Sequence, residues 1–224
     1  MALVDKTALI GLESLVELVS LIMSFAVGYT AYRIYKITGE KRYLHFSLAF
    51  IFITLGFLVR AFINAGVYFG RKDVIEIAIN TPVLTVHKAL SLVYLMLMIS
   101  AYLILIIITF RIQDAHLVSM MGLFAIVAVI ASYYKFIIFP ILSFLLLLYL
   151  VAHYYHGWSQ KHTKYQLRTL WGFMIICLAQ LLFPLVYLGS RYAFEGQEFF
   201  VAGTVIQCIG YGVLLWSLIT VLRK

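Results

Sequence analysis

The chain has 224 residues, of which 64% are hydrophobic and 12% charged, with a mean hydropathy of +1.03. Soluble domains carry about 25% charged and roughly 45–50% apolar residues, so water is excluded as the main solvent of this fold. The formal net charge of +8 does not point to nucleic acid, because the basic residues gather at the ends of apolar runs and form no single patch.

Lipid cannot hydrogen-bond a peptide backbone, so a spanning segment is either a helix or part of a closed barrel. The long apolar runs here lack the period-two alternation of barrel strands. The expected fold is all-α: a polytopic transmembrane seven-helix bundle in the cell membrane, with the lipid bilayer as its first partner. A hydrocarbon core of about 30 Å needs about 20 helical residues. That length places spans near 10–34, 43–68, 83–110, 117–133, 136–157, 166–189 and 199–222, in a single transmembrane domain over 1–224.

The first span follows Asp5 and Lys6, with no basic n-region and no small-residue cleavage site behind a short core, which argues against a cleaved signal peptide. Within it Glu13, Glu17, Ser20 and Ser24 fall at i, i+4, i+7 and i+11, one stripe that should face the bundle interior. In the second span Gly56, Arg60 and Asn64 share a face, and His45 lies near the start. The third carries His87, Ser91, Tyr94 and Met98 as a stripe, with Lys88 beside His87. Only Ser132, Tyr133, Tyr134 and Lys135 separate the fourth span from the fifth, so six spans is the alternative count. Pro140 is expected to kink the fifth, near whose end stand His153 and His156. The sixth carries Gln180 and Tyr187. The seventh puts Gly203, Gln207 and Gly210 on one face, small residues that allow close helix packing. It has no central lysine for a Schiff base, which excludes a retinal protein. Cys177 and Cys208 sit singly in apolar segments, where a thiol packs as a small hydrophobe; they suggest neither a disulfide framework nor a CxxC site.

Orientation follows from the short connections. Arg33, Lys36, Lys41, Arg42, Arg111, Lys161, Lys164, Arg168, Arg223 and Lys224 fall on one side, which the positive-inside rule assigns to the cytoplasm. The other side holds Asp5, Glu13, Glu17, Asp73, Glu76, Glu195 and Glu198 against Lys6, Arg71, Lys72, Lys135 and Arg191. The N-terminus is therefore expected outside and the C-terminus in the cytoplasm. Tyr32, Tyr35, Tyr43, Tyr149, Tyr154, Tyr155 and Tyr165 cluster at the inner ends and read as headgroup anchors. The basic inner surface should also attract anionic lipids or an acidic cytoplasmic or membrane protein partner.

Ionisable residues within a membrane are costly and raise the question of a site. Glu17, Arg60, Asn64, His87 and Lys88, with Gln180 and Gln207 closing from the other half, are the expected lining of an outward-facing pocket for a small-molecule ligand. The competing reading is a structural Glu17–Arg60 pair, with Lys88 reaching to the headgroups. A second set, His45, His87, His153 and His156, offers imidazoles for haem b, though ordinary interfacial hydrogen bonds account for them more simply. No metal site is otherwise expected. A Gly-rich phosphate loop, an HExxH helix and a GxSxG elbow are all missing from the sequence, which gives a hydrolase or kinase reading no foothold.

The stretch Tyr32 to Arg60, YRIYKITGEKRYLHFSLAFIFITLGFLVR, resembles the first helical hairpin of uncharacterised prokaryotic, especially archaeal, membrane sensor modules. That resemblance implies a receptor-like function with a separate output protein, and carries over no binding residue. The helix number also looks like that of small sugar carriers with a three-plus-one-plus-three layout, but those use prolines in several helices of both halves, and spans one and two here have none. Three functions are therefore expected to compete: a sensor or partner-binding module, a small-solute carrier, and a haem-binding redox subunit. The apolar runs Leu103–Ile108 and Leu123–Ile130 count against a continuous solute path.

Overall fold

The computed structural model describes residues 2–70, 82–110, 112, 114–134, 137–189 and 197–223. Among these, the regular structure is entirely helical: α1 (Ala2–Thr38), α2 (Lys41–Gly70), α3 (Pro82–Phe110), α4 (Ala115–Tyr134), α5 (Ile138–Lys161), α6 (Lys164–Gly189) and α7 (Gln197–Leu222). Apart from the start of α1, every boundary falls within about one helical turn of the expected spans. Arg71, Lys72, Asp73, Glu76, Lys135, Arg191 and Glu195 lie outside the described residues, as do the side chains of Glu13, His87, Lys88, Tyr187 and Glu198.

Prolines fall where the backbone tolerates them. Pro82 opens α3, and Pro140 sits in the first turn of α5, where its missing N–H has no intrahelical partner to lose. The expected Pro140 kink is thus a helix start; Pro184 is the proline inside a helix. Two connections use one device. Gly39 (φ 69°) and His162 (φ 48°) adopt the left-handed conformation, and their N–H groups donate to Tyr35 O (2.8 Å) and Trp158 O (2.7 Å). Each closes the helix before it and turns the chain into the next hairpin arm.

Six helices form a ring in the order α1, α2, α3, α5, α6, α7, with α7 packed back on α1; α4 rests outside, against α3 and α5. The six ring helices are long and apolar enough to cross a membrane, whereas the apolar run of α4, His116–Ala131, is shorter, about 24 Å. Its position explains its sequence: Ala125, Ala128 and Val129 are buried against the ring, while Met120, Leu123, Phe124, Ile126, Val127 and Ile130 are exposed.

Glycines set the closest seams. A Cβ on Gly28 of α1 would lie 3.2 Å from Phe50 Cβ of α2. Gly172 of α6 faces Gly210 of α7, and Gly203 faces Phe183 and the Ala179 carbonyl. The close-packing role expected for Gly203 and Gly210 is what their neighbours show; Gly172, their partner across the seam, carries no sequence signal beyond being glycine.

The short connections 38–41, 110–115 and 161–164 and the end of α7 lie at one end of the bundle, here termed the basic end. The other end is the far end.

Candidate functional site: a buried ion pair and a cavity at opposite ends

The stripe on α1 does face inward. Glu17, Ser20 and Ser24 are each 0% exposed. Ser24 Oγ lies 3.0 Å from Thr54 Oγ1 of α2. At the top of the stripe Glu17 Oε1 is 2.6 Å from Arg60 Nε, and its other oxygen accepts from Asn64 Nδ2 at 2.8 Å. Both carboxylate oxygens are engaged by charged or amide donors, the arrangement in which a buried charge is tolerable. Arg60 Nη1 also donates to Tyr94 Oη (3.3 Å), and its guanidinium lies 4.0 Å from the Phe200 ring centre and 5.5 Å from that of Tyr94. Four helices, α1, α2, α3 and α7, therefore meet on one pair of opposite charges. Tyr94→Phe keeps the ring beneath Arg60 and removes its hydroxyl, with an expected loss of about 1 kcal/mol in reversible detergent unfolding; an unchanged midpoint would mean that this hydrogen bond contributes nothing.

Gln180 and Gln207 are buried but bond elsewhere. Gln180 Nε2 of α6 donates to Tyr102 Oη of α3 (3.4 Å), and Gln207 Nε2 donates to Tyr211 Oη one turn on in α7 (2.8 Å). Of the residues expected to line one pocket, the structure thus joins Glu17, Arg60 and Asn64, whereas Gln180 and Gln207 each bond a buried tyrosine instead.

A cavity of about 210 Å³ opens at the basic end instead. Its mouth is formed by Glu40, Arg42 and Gln166, its wall by Tyr43, His153, Tyr154 and Tyr165, and its apolar floor by Phe46, Leu214 and Leu218. Thr169 Oγ1 and Ser217 Oγ, 2.9 Å apart, tie α6 to α7 behind the cavity. Five ring helices contribute to it, and its α2 residues lie about 21–27 Å along that helix from Arg60.

Of the tyrosines expected to anchor in headgroups, Tyr32, Tyr149 and Tyr155 are exposed, whereas Tyr43, Tyr154 and Tyr165 turn inward to line this cavity. The usable signal was on α6: Tyr165 and Thr169 fall at i and i+4, beside Gln166, a short polar stripe at a helix start. Between the cavity and Tyr211 the core is filled by rings. Phe46 meets Phe173 edge-on, and Phe50 and Phe57 both meet Tyr211 edge-on at 6.0 Å.

Among the described residues, His45, His153 and His156 each have separate neighbours. His45 is exposed, with Nδ1 2.7 Å from Lys41 O of its own helix. His153 lines the cavity, in edge contact with Phe110, and His156 Nε2 is 3.0 Å from Gln160 Nε2. Among the described residues no group of three or more His, Cys, Asp or Glu side chains is placed to hold a metal ion.

Compared with protein-family models, with curated proteins and with solved structures, the chain matches none.

Proposed function

We propose that the chain is a multi-pass membrane protein of the sensor or receptor type, which binds a small polar ligand inside its helix bundle and has no catalytic role. One observation carries the reading: the cavity at the basic end has a polar wall of tyrosine, threonine and histidine groups, and Phe46 of its lining packs on Phe50 and Phe173, with Phe50 in turn against Tyr211, so that packed rings adjoin it within the bundle. A pocket of this kind suits binding better than passage. Its volume admits a ligand somewhat larger than benzene, which fills a cavity of about 150 Å³. Tyrosine, threonine, glutamine and histidine groups supply neutral donors and acceptors, while Arg42 and Glu40 offer one charge of each sign at the mouth. The Glu17–Arg60–Asn64 cluster is then the closed form of the polar site expected in the outer half, and the basic end faces the cytoplasm as the positive-inside rule requires.

A small-solute carrier is the second reading. It draws support from the repeated construction of the ring, in which α1–α2–α3 and α5–α6–α7 pack in the same order and share left-handed connections at Gly39 and His162.

Gly157→Cys in a Cys177→Ala/Cys208→Ala background tests both, because a side chain at 157 would enter the cavity with its nearest contact 3.9 Å away. A small polar compound that slows labelling of the introduced thiol should also stabilise the protein in nanodiscs, by about 2.7 kcal/mol at one hundred times its Kd. No time-dependent uptake of that compound into proteoliposomes is expected. Uptake above protein-free vesicles would turn the reading to a carrier, and a compound library in which nothing protects the introduced thiol would remove it.

A further inference from the structure

Beside the α1–α2 seam, on the outside of the ring, runs an apolar groove of about 270 Å³. Phe25, Tyr29 and Tyr32 of α1 form one wall, and Leu44, Leu48 and Ile51 of α2 the other. The spacing i, i+4, i+7 on each helix keeps these side chains on one face for about 10 Å, which lies within the roughly 15 Å of a single leaflet. Gly28 explains why a groove exists: by letting α1 approach Phe50 Cβ and the Ser47 and Ile51 backbone of α2, it draws the two large-residue stripes together on either side of the contact.

The groove has a charged end. Lys36 continues the α1 stripe one turn past Tyr32, and its Nζ lies 5.2 Å from the centre of the Tyr32 ring. Lys41 precedes Leu44 by three residues on α2, on the same face. Both side chains are exposed, as is Arg33, one turn beyond Tyr29, so the basic residues of this connection outnumber the single nearby carboxylate, Glu40. An apolar channel one leaflet deep, with cations where headgroups sit, matches one kind of molecule in the surroundings of a membrane helix.

We infer that this groove is a binding site for an anionic phospholipid of the leaflet at the basic end. One acyl chain lies between the Phe25–Tyr29–Tyr32 and Leu44–Leu48–Ile51 walls, and the phosphate-bearing headgroup is held by Lys36 and Lys41. The site is separate from the ring cavity, which opens between other faces of α2, α3, α5, α6 and α7, so it stands or falls independently of the proposed function.

Native mass spectrometry of protein released from nanodiscs of phosphatidylcholine with phosphatidylglycerol at equal fractions tests it. Wild-type protein should retain one phosphatidylglycerol, in preference to phosphatidylcholine by roughly tenfold to thirtyfold, the effect of two nearby cations. Lys36→Gln/Lys41→Gln should bring the preference near unity. Leu48→Trp, which fills the groove and leaves both lysines, should reduce retention of either lipid. Lys164→Gln, at the same end but away from the groove, should keep the wild-type preference. Equal retention of the two lipids by wild-type protein, or loss of preference in Lys164→Gln as large as in the double lysine variant, would overturn the site in favour of diffuse surface charge. Melting temperatures of all variants in pure phosphatidylcholine should match wild type, since the substituted side chains are exposed; a drop there alongside lost retention would overturn the specific-site reading as well.

Discussion

Arg60→Leu is expected to lose about 3–5 kcal/mol of folding stability, whereas Glu17→Gln/Arg60→Met should lie within about 1 kcal/mol of wild type. Reversible unfolding in mixed micelles measures both. The asymmetry comes from burial. Glu17 is fully buried, and removing Arg60 takes the opposite charge away from a carboxylate that keeps the Asn64 amide. Arg60→Ala should lose at least as much as Arg60→Leu, because both substitutions strand the same carboxylate. In the double variant the introduced glutamine still offers an oxygen to Asn64, and the introduced methionine fills the space beneath Phe200. Glu17→Gln alone should cost less than Arg60→Met alone, since the Arg60 side chain keeps 18% exposure, the Tyr94 hydroxyl and two ring faces. Additive single effects, with no recovery in the double variant, would show that the pair is not coupled.

The second large effect is expected at the α6–α7 seam. An alanine Cβ at Gly210 would sit 2.5 Å from Ile176 Cγ1 and 3.1 Å from both the Gly172 carbonyl oxygen and the Ile176 nitrogen. A side chain can rotate away, but two of those three atoms are backbone, so the helices themselves must separate. Gly210→Ala should lose about 1–3 kcal/mol, and Gly210→Val should lose more. Gly122→Ala is the control. Nothing lies within 4 Å of that position on α4, and alanine is the better helix former by about 0.5–1 kcal/mol, so stability should rise slightly. A Gly210→Ala midpoint equal to wild type would mean that the seam is looser than the distances show.

Helix number and ends were legible because an apolar run of about 20 residues has few other uses. The α1 stripe was legible for a related reason: Glu17, Ser20 and Ser24 are polar exceptions in an apolar helix, and their spacing assigns a face. The Glu17–Arg60 pair followed from two such exceptions at matching depth. The cavity was not legible, because Tyr43, Tyr154 and Tyr165 stand beside Tyr32, Tyr149 and Tyr155 in the sequence and have the same composition signature as anchors; only packing separates the inward set from the outward one. Nor was the position of α4. A helix that is apolar on every side gives no stripe to orient it, and lipid and protein interior accept the same residues. The Gly172–Gly210 approach needed two helices to be seen together before either glycine had a meaning.

The closure of the ring by α7 against α1 has a consequence for biogenesis. Glu17 and Arg60 belong to the first helical hairpin, so their charges can neutralise each other as soon as α2 leaves the ribosome, and neither need enter lipid alone. Phe200, which covers the Arg60 guanidinium, arrives some 140 residues later, on the order of ten seconds or more at about 5–20 residues per second. Throughout that interval the α7-facing side of α1, with Ser20 beside the later position of Cys208, borders lipid or a membrane chaperone. The nascent chain is thus protected early against its most expensive charges and late against its exposed polar seam, and a stalled or truncated product would present that seam to the quality-control machinery of the membrane.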